Sequence, residues 1–569
     1  MDCCPPTNLR RPDRPHTFLH HAPSTCPGCQ AAIEARIVER DGKILGLTFC
    51  PACGQHTTEV HADARRYLDE LVARGTANLA TGARTLFKTT TSTCPSCLAL
   101  TPADVIIEHG RVYFEKACPR CGPSKALVSE DADYYVRAYT YARSGTEPFQ
   151  FGNKVEHGCP TDCGTCSDHE QHTCLPIVEV TDHCNLECPV CIVNNQYSTH
   201  MSVDAFSRIV DRLVAAEGEC ESIALSGGEP TSHPDILGLV DAANRPEIGR
   251  VIVITNGLRL GRDRELAAGL KARGAYVALQ LDGFDAATHT VVRGRDLTKE
   301  KTAALAMLEE FDIPTQIIFV AAKGVNDHQI GKVIGLMMEK DFIISVNFQP
   351  VAHTGAGGGV FAHDPMDRLT IPGVIKAIEE QTSGRMRASD FNPLPCSHPQ
   401  CVSLAYTLRM PDGSYLPFAR FVDYGRHEER LKDLLKSSAT LPASKEVHDA
   451  LLEVVHDVYA NEDQIERGPD VLASLRRTMK EMFPDRKLEH REQIRIGEGY
   501  AKAVFMHAYM DRNDFDLERL RKCCHHYPQD DGKVMPACGF NMFHRGAAKG
   551  PDTPKALWSD GKLRLSVLS

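Results

Sequence analysis

Cys184, Cys188 and Cys191 stand in a C-x-x-x-C-x-x-C run, and three clustered thiolates leave something that four do not. A cubane 4Fe–4S cluster has four irons and is usually held by four cysteines. Three cysteines leave one iron without a protein ligand, open to a small chelating molecule. The chain holds 23 cysteines, most of them in short C-x-x-C or C-x-x-x-C pairs. Disulfide scaffolds are typically small, secreted and signal-bearing. In a long chain whose first residues show no secretory pattern, clustered thiolates read as ligands for zinc, mononuclear iron or iron–sulfur clusters.

A second set of cysteines is duplicated. Sliding the sequence by 68 residues lays Cys26, Cys29, Cys50 and Cys53 onto Cys94, Cys97, Cys118 and Cys121, and the match runs on through Asp63 and Tyr67 onto Asp131 and Tyr135. Each copy is a C-x-x-C, a hairpin and a second C-x-x-C. Two such turns aim four sulfurs at one point, a tetrahedral site for zinc or a rubredoxin-like iron. A site of this kind contributes on the order of 10 kcal/mol to folding, which replaces a core that small modules lack. The two modules are placed at residues 20–80 and 88–150.

Two more groups follow. Cys159, Cys163, Cys166 and Cys174 fall within sixteen residues, in segment 151–175, and can ligate a second 4Fe–4S cluster. His169 and His172 are alternative ligands there, or donors to cluster sulfur. Cys396, Cys401, Cys538 and Cys523, with Cys524 as its alternative, supply four ligands for a third cluster. Cys3, Cys4 and Cys220 are left to the tail and the core.

Short apolar, β-rich runs alternate with amphipathic stretches between residues 176 and 370. The candidate strands are 176–181, 222–227, 251–255, 276–282, 314–320 and 344–350. Six strands alternating with helices predict parallel βα units closing into a partial barrel, whose chemistry sits at the C-terminal strand ends. The three-cysteine loop follows the first strand directly. Residues 371–569 make a C-terminal domain. In it, HDALLEVVHDVY and GYAKAVFMHAYM read as helices with broad apolar faces, able to line an acyl tunnel or to pack as ordinary core.

The loop, with Gly227-Gly228-Glu229-Pro230 after the second strand, resembles the radical S-adenosylmethionine (SAM) superfamily. The fold this implies is a partial (β/α)6 TIM-type barrel with N-terminal zinc-ribbon or rubredoxin-like modules and a C-terminal auxiliary-cluster domain. The resemblance implies that the open iron chelates SAM and that reductive cleavage gives a 5′-deoxyadenosyl radical. It assigns SAM contacts to Val190, Gly227, Gly228, Glu229, Pro230, Asn256 and Asp282. The cofactors it implies are SAM, three 4Fe–4S clusters, and zinc or iron in the N-terminal sites. A low-potential donor such as ferredoxin or flavodoxin would supply electrons.

From about residue 90 onward the motif order resembles the archaeal tetraether lipid synthases and class D radical SAM methylases: CPSCL, GCPTDCGTC, HCNLECPVC, FQPVAHTG, PLPCSHPQC and CCHHYPQDDGKVMPACGFN. Two reactions follow. The leading expectation is carbon–carbon coupling of lipid alkyl tails. The alternative is methyl transfer from a methylene-folate carbon donor to a pterin-type acceptor. An iron–sulfur carrier without SAM chemistry is the competitor from another class, and the three-cysteine motif argues against it. The net charge of −11 disfavours nucleic acid as a partner. No run approaches the 18 or so apolar residues of a membrane span. The expected location is therefore cytoplasmic, with room for peripheral contact at the inner face of a membrane.

Overall fold

The computed structural model describes residues 11–155, 158–160, 162, 164–193, 198–355, 357–436, 445–486 and 488–545, with the strand pair Trp558–Ser559 and Lys562–Leu563. Cys3, Cys4 and Cys163 lie outside the described residues.

The duplicated sequence folds twice into the same antiparallel meander. The first copy is β1 (Thr17–Thr25), β2 (Ala32–Arg40), β3 (Lys43–Cys50) and β4 (Gly54–His61). The second is β5 (Thr85–Thr93), β6 (Leu100–Glu108), β7 (Arg111–Cys118) and β8 (Gly122–Ser129). The central hairpins turn on Asp41-Gly42 and His109-Gly110, all at positive φ, as a two-residue turn matched to strand twist demands. A helix follows each meander, Ala64–Thr76 and Ala132–Ala138, capped by the Asp63 and Asp131 carboxylates accepting from Arg66 N and Tyr134 N.

The barrel strands are β9 (Leu175–Thr181), β10 (Cys220–Gly227), β11 (Ile248–Thr255), β12 (Tyr276–Gln280), β13 (Thr315–Ala321) and β14 (Ile343–Pro350). Each pairs in parallel with the next, in chain order. Period-two alternation sorts their side chains. Val178, Val180, Ile223, Leu225, Val251, Val253, Val277, Leu279, Ile317, Phe319, Val346 and Phe348 are buried in one core under the helices. Glu179, Ser226, Ile252, Ile254, Gln280, Gln316 and Asn347 alternate with them and are left to the lumen.

The C-terminal region extends this sheet at both edges. Strand Ala501–His507 runs parallel to β14, Val402–Arg409 pairs antiparallel to it, and His525–Pro528 runs parallel to β9. AKAVFMH is therefore a strand, where its apolar face had suggested a helix. Pairing on both sides, with β14 and with Val402–Arg409, outweighs a weak local preference. KEVHDALLEVVHDVYA is a helix, Lys445–Ala460, and packs with Gly468–Met482 in a separate apolar cluster.

Candidate active site

The radical-type triad sits in the loop that leaves β9. Cys191 N donates to Cys188 O at 3.0 Å, turning the chain so that the three cysteines pack among Leu186, Leu258 and Leu297. Burial pushes the Cys184 thiol up to about 12, and the neighbouring Cys188 and Cys191 push the same way. Burial likewise raises Cys191. Thiols that burial disfavours as thiolates, massed at one point, fit a positively charged metal–sulfur core that would deprotonate them.

Backbone approaches the loop closely from two sides. Gly227 has φ +123°, and a Cβ there would lie 2.0 Å from Thr181 O; one at Gly228 would lie 2.2 Å from His183 O. Gly228 N and Glu229 N donate to Thr181 O and His183 O, both at 2.7 Å. From the other side, Gly357 N and Gly358 N donate to Cys191 O at 3.0 and 2.9 Å, and a Cβ on Gly357 would stand 2.3 Å from Cys188 O. The FQPVAHTG stretch thus ends as a glycine lid on the cysteine loop. Pro230 opens a short 3-10 turn, Pro230–Ser232. Val190 is buried against Val292, Ala322 and Val351.

The expected SAM-contact side chains are tied to one another. Glu229 is 1 % exposed. Its Oε1 accepts from Thr231 N (3.0 Å), Thr231 Oγ1 (2.5 Å) and Thr255 Oγ1 (2.6 Å), and its Oε2 accepts from Asn256 N (2.8 Å). The carboxylate braces the ends of β10 and β11. Asn256 Nδ2 donates to Asn185 Oδ1 at 2.7 Å, fastening the cysteine loop itself.

Asp282, expected as a SAM contact, is fully buried just beyond β12. Arg293 grips it with bonds of 2.6 and 2.9 Å, and Val320 N donates to it at 2.9 Å. Against burial, the neighbouring Cys188, after Asp282, helps hold the Arg293 guanidinium above its ordinary range. Lys301 is 2 % exposed and donates to Asn256 O (2.7 Å) and Gln280 O (2.6 Å); burial lowers it to about 8. No motif marks Arg293 or Lys301. The only signal in the sequence was a basic residue on each helix following the Asp282 turn.

The duplicated sites match a single metal ion. The four sulfurs of Cys26, Cys29, Cys50 and Cys53 lie within 4.8 Å of one another, as do those of Cys94, Cys97, Cys118 and Cys121. Cys29–Cys50 is 3.6 Å and Cys97–Cys118 is 3.8 Å. Tetrahedral zinc with Zn–S near 2.3 Å requires sulfurs about 3.8 Å apart.

The remaining cysteines group otherwise than their order suggests. Cys174 leaves Cys159 and Cys166 and gathers with Cys396 and Cys524, all within 4.8 Å. Cys396 accordingly parts from Cys401, Cys523 and Cys538. Burial, with Cys401 nearby, raises the Cys523 and Cys538 thiols, and Arg519 Nε donates to Cys401 Sγ at 3.3 Å. Cys538 Sγ also accepts from Met510 N at 3.3 Å. Cys523 and Cys524 serve different groups because successive residues of extended chain, here entering His525–Pro528, face opposite ways. Cys159 and Cys166 stay electrostatic neighbours. His169 Nε2 bonds Cys523 O (2.7 Å) and His526 Nε2 (3.0 Å), and His172 Nδ1 bonds Thr146 Oγ1 (2.5 Å). Cys220 is buried in the barrel core.

Comparison with known proteins follows the same division. Residues 178–337 match the radical SAM superfamily, and residues 18–62 and 86–130 each match the HMPTM N-terminal zinc ribbon domain. The 7,8-dihydro-6-hydroxymethylpterin dimethyltransferase of Methanocaldococcus jannaschii is 28% identical over 485 residues, 80% of this chain and 94% of that protein. The GTP 3′,8-cyclase of Petrotoga mobilis is 27% identical over 189 residues, 32% of this chain and 58% of that one. Among solved structures, Streptococcus suis SuiB bound to S-adenosylmethionine is 16% identical, with a TM-score of 0.31 over 37% of this chain and 47% of that chain. No helix among the described residues is long and apolar enough to cross a membrane.

Proposed function

We propose that this radical SAM enzyme transfers a one-carbon unit, as methyl, to an unactivated carbon of a pterin-type acceptor, with a methylene-folate as carbon donor. The observation that carries this reading is the span of the dimethyltransferase match, 94% of that relative, together with the two zinc ribbons named for its class. Joining of lipid alkyl tails was the leading expectation from the motifs; the relatives favour the alternative. An apolar cavity of about 390 Å³ at the N-terminal strand ends keeps tail coupling as the second reading.

The bound cluster and SAM would supply a carbon-centred radical able to take hydrogen from an unactivated carbon. The chain's own work is geometric. Cys184, Cys188 and Cys191 would hold the cluster, and the glycines at 227, 228 and 357 admit backbone close to them. Glu229 and Asn256 brace the rim, and Arg293 would offset thiolate charge near Cys188. An external low-potential donor completes the cycle.

Anaerobic, dithionite-reduced protein should release 5′-deoxyadenosine from SAM. With 7,8-dihydro-6-hydroxymethylpterin and methylene-tetrahydrofolate added, mass spectrometry should find the pterin heavier by one or two methyl groups. Release of 5′-deoxyadenosine with the pterin unchanged, and doubled-length chains formed from added lipid, would replace this reading by tail coupling. A Cys184→Ala variant that still cleaves SAM would remove the radical assignment altogether.

A further inference from the structure

A second set of three thiolates lies away from the radical loop. Cys174 stands one residue before β9, Cys524 one residue before His525–Pro528, and Cys396 ahead of Val402–Arg409. Their sulfurs lie within 4.8 Å of one another. The backbone holds them there: Cys174 N and Leu175 N both donate to Cys524 O, at 2.9 and 3.1 Å. Gln171 Nε2 donates to Cys396 O at 2.8 Å. Among the described residues, no fourth cysteine, histidine or carboxylate joins the group at that spacing. β9 separates this group from the radical loop by seven residues, roughly 23 Å at about 3.3 Å per residue.

All three cysteines line one cavity of about 390 Å³. Its other walls are the first residues of β10 to β14 and the apolar faces of the C-terminal helices, with Ile252, Leu404, Phe505, Leu451, Val454 and Leu475 among them. The size is that of a small-molecule site. His507 and His525 line the same cavity, their rings 4.4 Å apart. His507 is 7% exposed, and each of the two has a buried Nδ1 with no hydrogen-bond partner among the described residues.

Four-thiolate sites are closed and structural, whereas three protein ligands leave a position for something else. We infer that Cys174, Cys396 and Cys524 hold a single thiophilic metal ion, zinc or mononuclear iron, by three protein thiolates, and that its last position faces this cavity and accepts a soft donor carried on an apolar molecule. Thiolate ligands choose the metal. The aliphatic walls choose the body of the ligand, and the two unpartnered imidazole nitrogens offer its polar end a partner. The inference rests on neither reading of the overall reaction, because it concerns occupancy of a site at the other end of β9.

The test uses the full chain, reconstituted with iron and sulfide without oxygen, and 1-octanethiol as the probe. Relative to the parent, Cys396→Ser should lose one metal ion, zinc or iron. The parent should retain one equivalent of octanethiol through equilibrium dialysis, and bind 2-mercaptoethanol at least tenfold more weakly. Leu451→Trp narrows the cavity without touching a thiolate. It should keep the full metal content and lose octanethiol at least tenfold, which keeps the test decisive if the serine variant does not fold. Unchanged metal in a folded Cys396→Ser variant overturns the site. Full metal with no octanethiol retained by the parent overturns the open position.

Discussion

The two zinc ribbons are built alike and placed differently. Their hairpins turn on equivalent residues and their sulfur spacings agree to 0.2 Å, at 3.6 and 3.8 Å. Both copies attach to the C-terminal segment, the first through His21, whose N donates to Glu518 Oε1 and whose ring bonds Arg521, each at 2.7 Å; at matched positions, 68 residues apart, the second copy adds buried attachments there that the first lacks. His20 in the first copy bonds Tyr67 of the same module, while its counterpart Lys88 is buried against Glu518. Ala22 corresponds to Thr90, which bonds Asp516 at 2.8 Å. Thr48 corresponds to Lys116, whose ammonium donates to Thr93 O, Arg512 O and Asn513 O. The same residues lead to the active site. Asp511 accepts from His353 N, which begins the glycine lid over the cysteine loop, and Arg368 is paired to the same carboxylate. One local code gives a metal knot twice, and a few substitutions on one sheet decide how strongly each copy is tied into the enzyme's body.

The sharpest way to break this comparison is to remove one metal ligand from each copy. Cys94→Ser should forfeit on the order of 10 kcal/mol of metal-linked folding energy, as much as a whole domain's stability. Because Lys88, Thr90 and Lys116 fasten that copy to residues 512–518, the loss should spread to the barrel, and the chain should accumulate poorly or unfold far below the parent. Cys26→Ser should lose one metal equivalent while the barrel keeps the parent's unfolding transition. Metal content with thermal unfolding of both variants decides it. Equal damage from the two would mean that the first ribbon is as integral as the second.

A smaller contrast lies in the paired positions. Lys88→Met leaves Glu518 buried without its cation, beside Asp516, and should destabilise by about 3–5 kcal/mol. His20→Leu removes two neutral hydrogen bonds, to the Tyr67 hydroxyl and to His21 O, and should cost about 1–2 kcal/mol. Denaturant midpoints of the two variants measure the ratio. A Lys88 variant no worse than the His20 variant would show that the buried pair contributes nothing beyond packing.

The cysteine spacings told the most and the least. A C-x-x-C fixes its geometry locally, so the ribbons and the radical loop were legible, as were the six barrel strands from their alternating apolar faces. Cys174, Cys396 and Cys524 carry no such record. They meet because His525–Pro528 pairs with β9 and the Val402–Arg409 sheet folds alongside, contacts more than 200 residues apart that no spacing encodes. Nearness in sequence therefore put Cys174 with Cys159 and Cys396 with Cys401. Strand Ala501–His507 was hidden for a related reason: its preference is set by two neighbours, not by its own residues. Asp282 stood at a strand end where ligands are commonly met, and only the position of Arg293 shows that its carboxylate is committed inward.

The mildest test concerns what the first ribbon left unfinished. Thr48 is 8 % exposed and its hydroxyl has no hydrogen-bond partner among the described residues, whereas Lys116 fills the equivalent place with a group that satisfies three carbonyls. A buried, unsatisfied hydroxyl costs about 1–3 kcal/mol relative to an apolar group of the same shape. Valine has that shape and suits the middle of β3 equally well. Thr48→Val should therefore raise the first ribbon's stability by about 1 kcal/mol, seen as slower exchange of the β3 amides, with metal content unchanged. A loss of stability instead would mean that the Thr48 hydroxyl has a partner, such as a buried water, and that the first ribbon's sheet is as fully satisfied as the second.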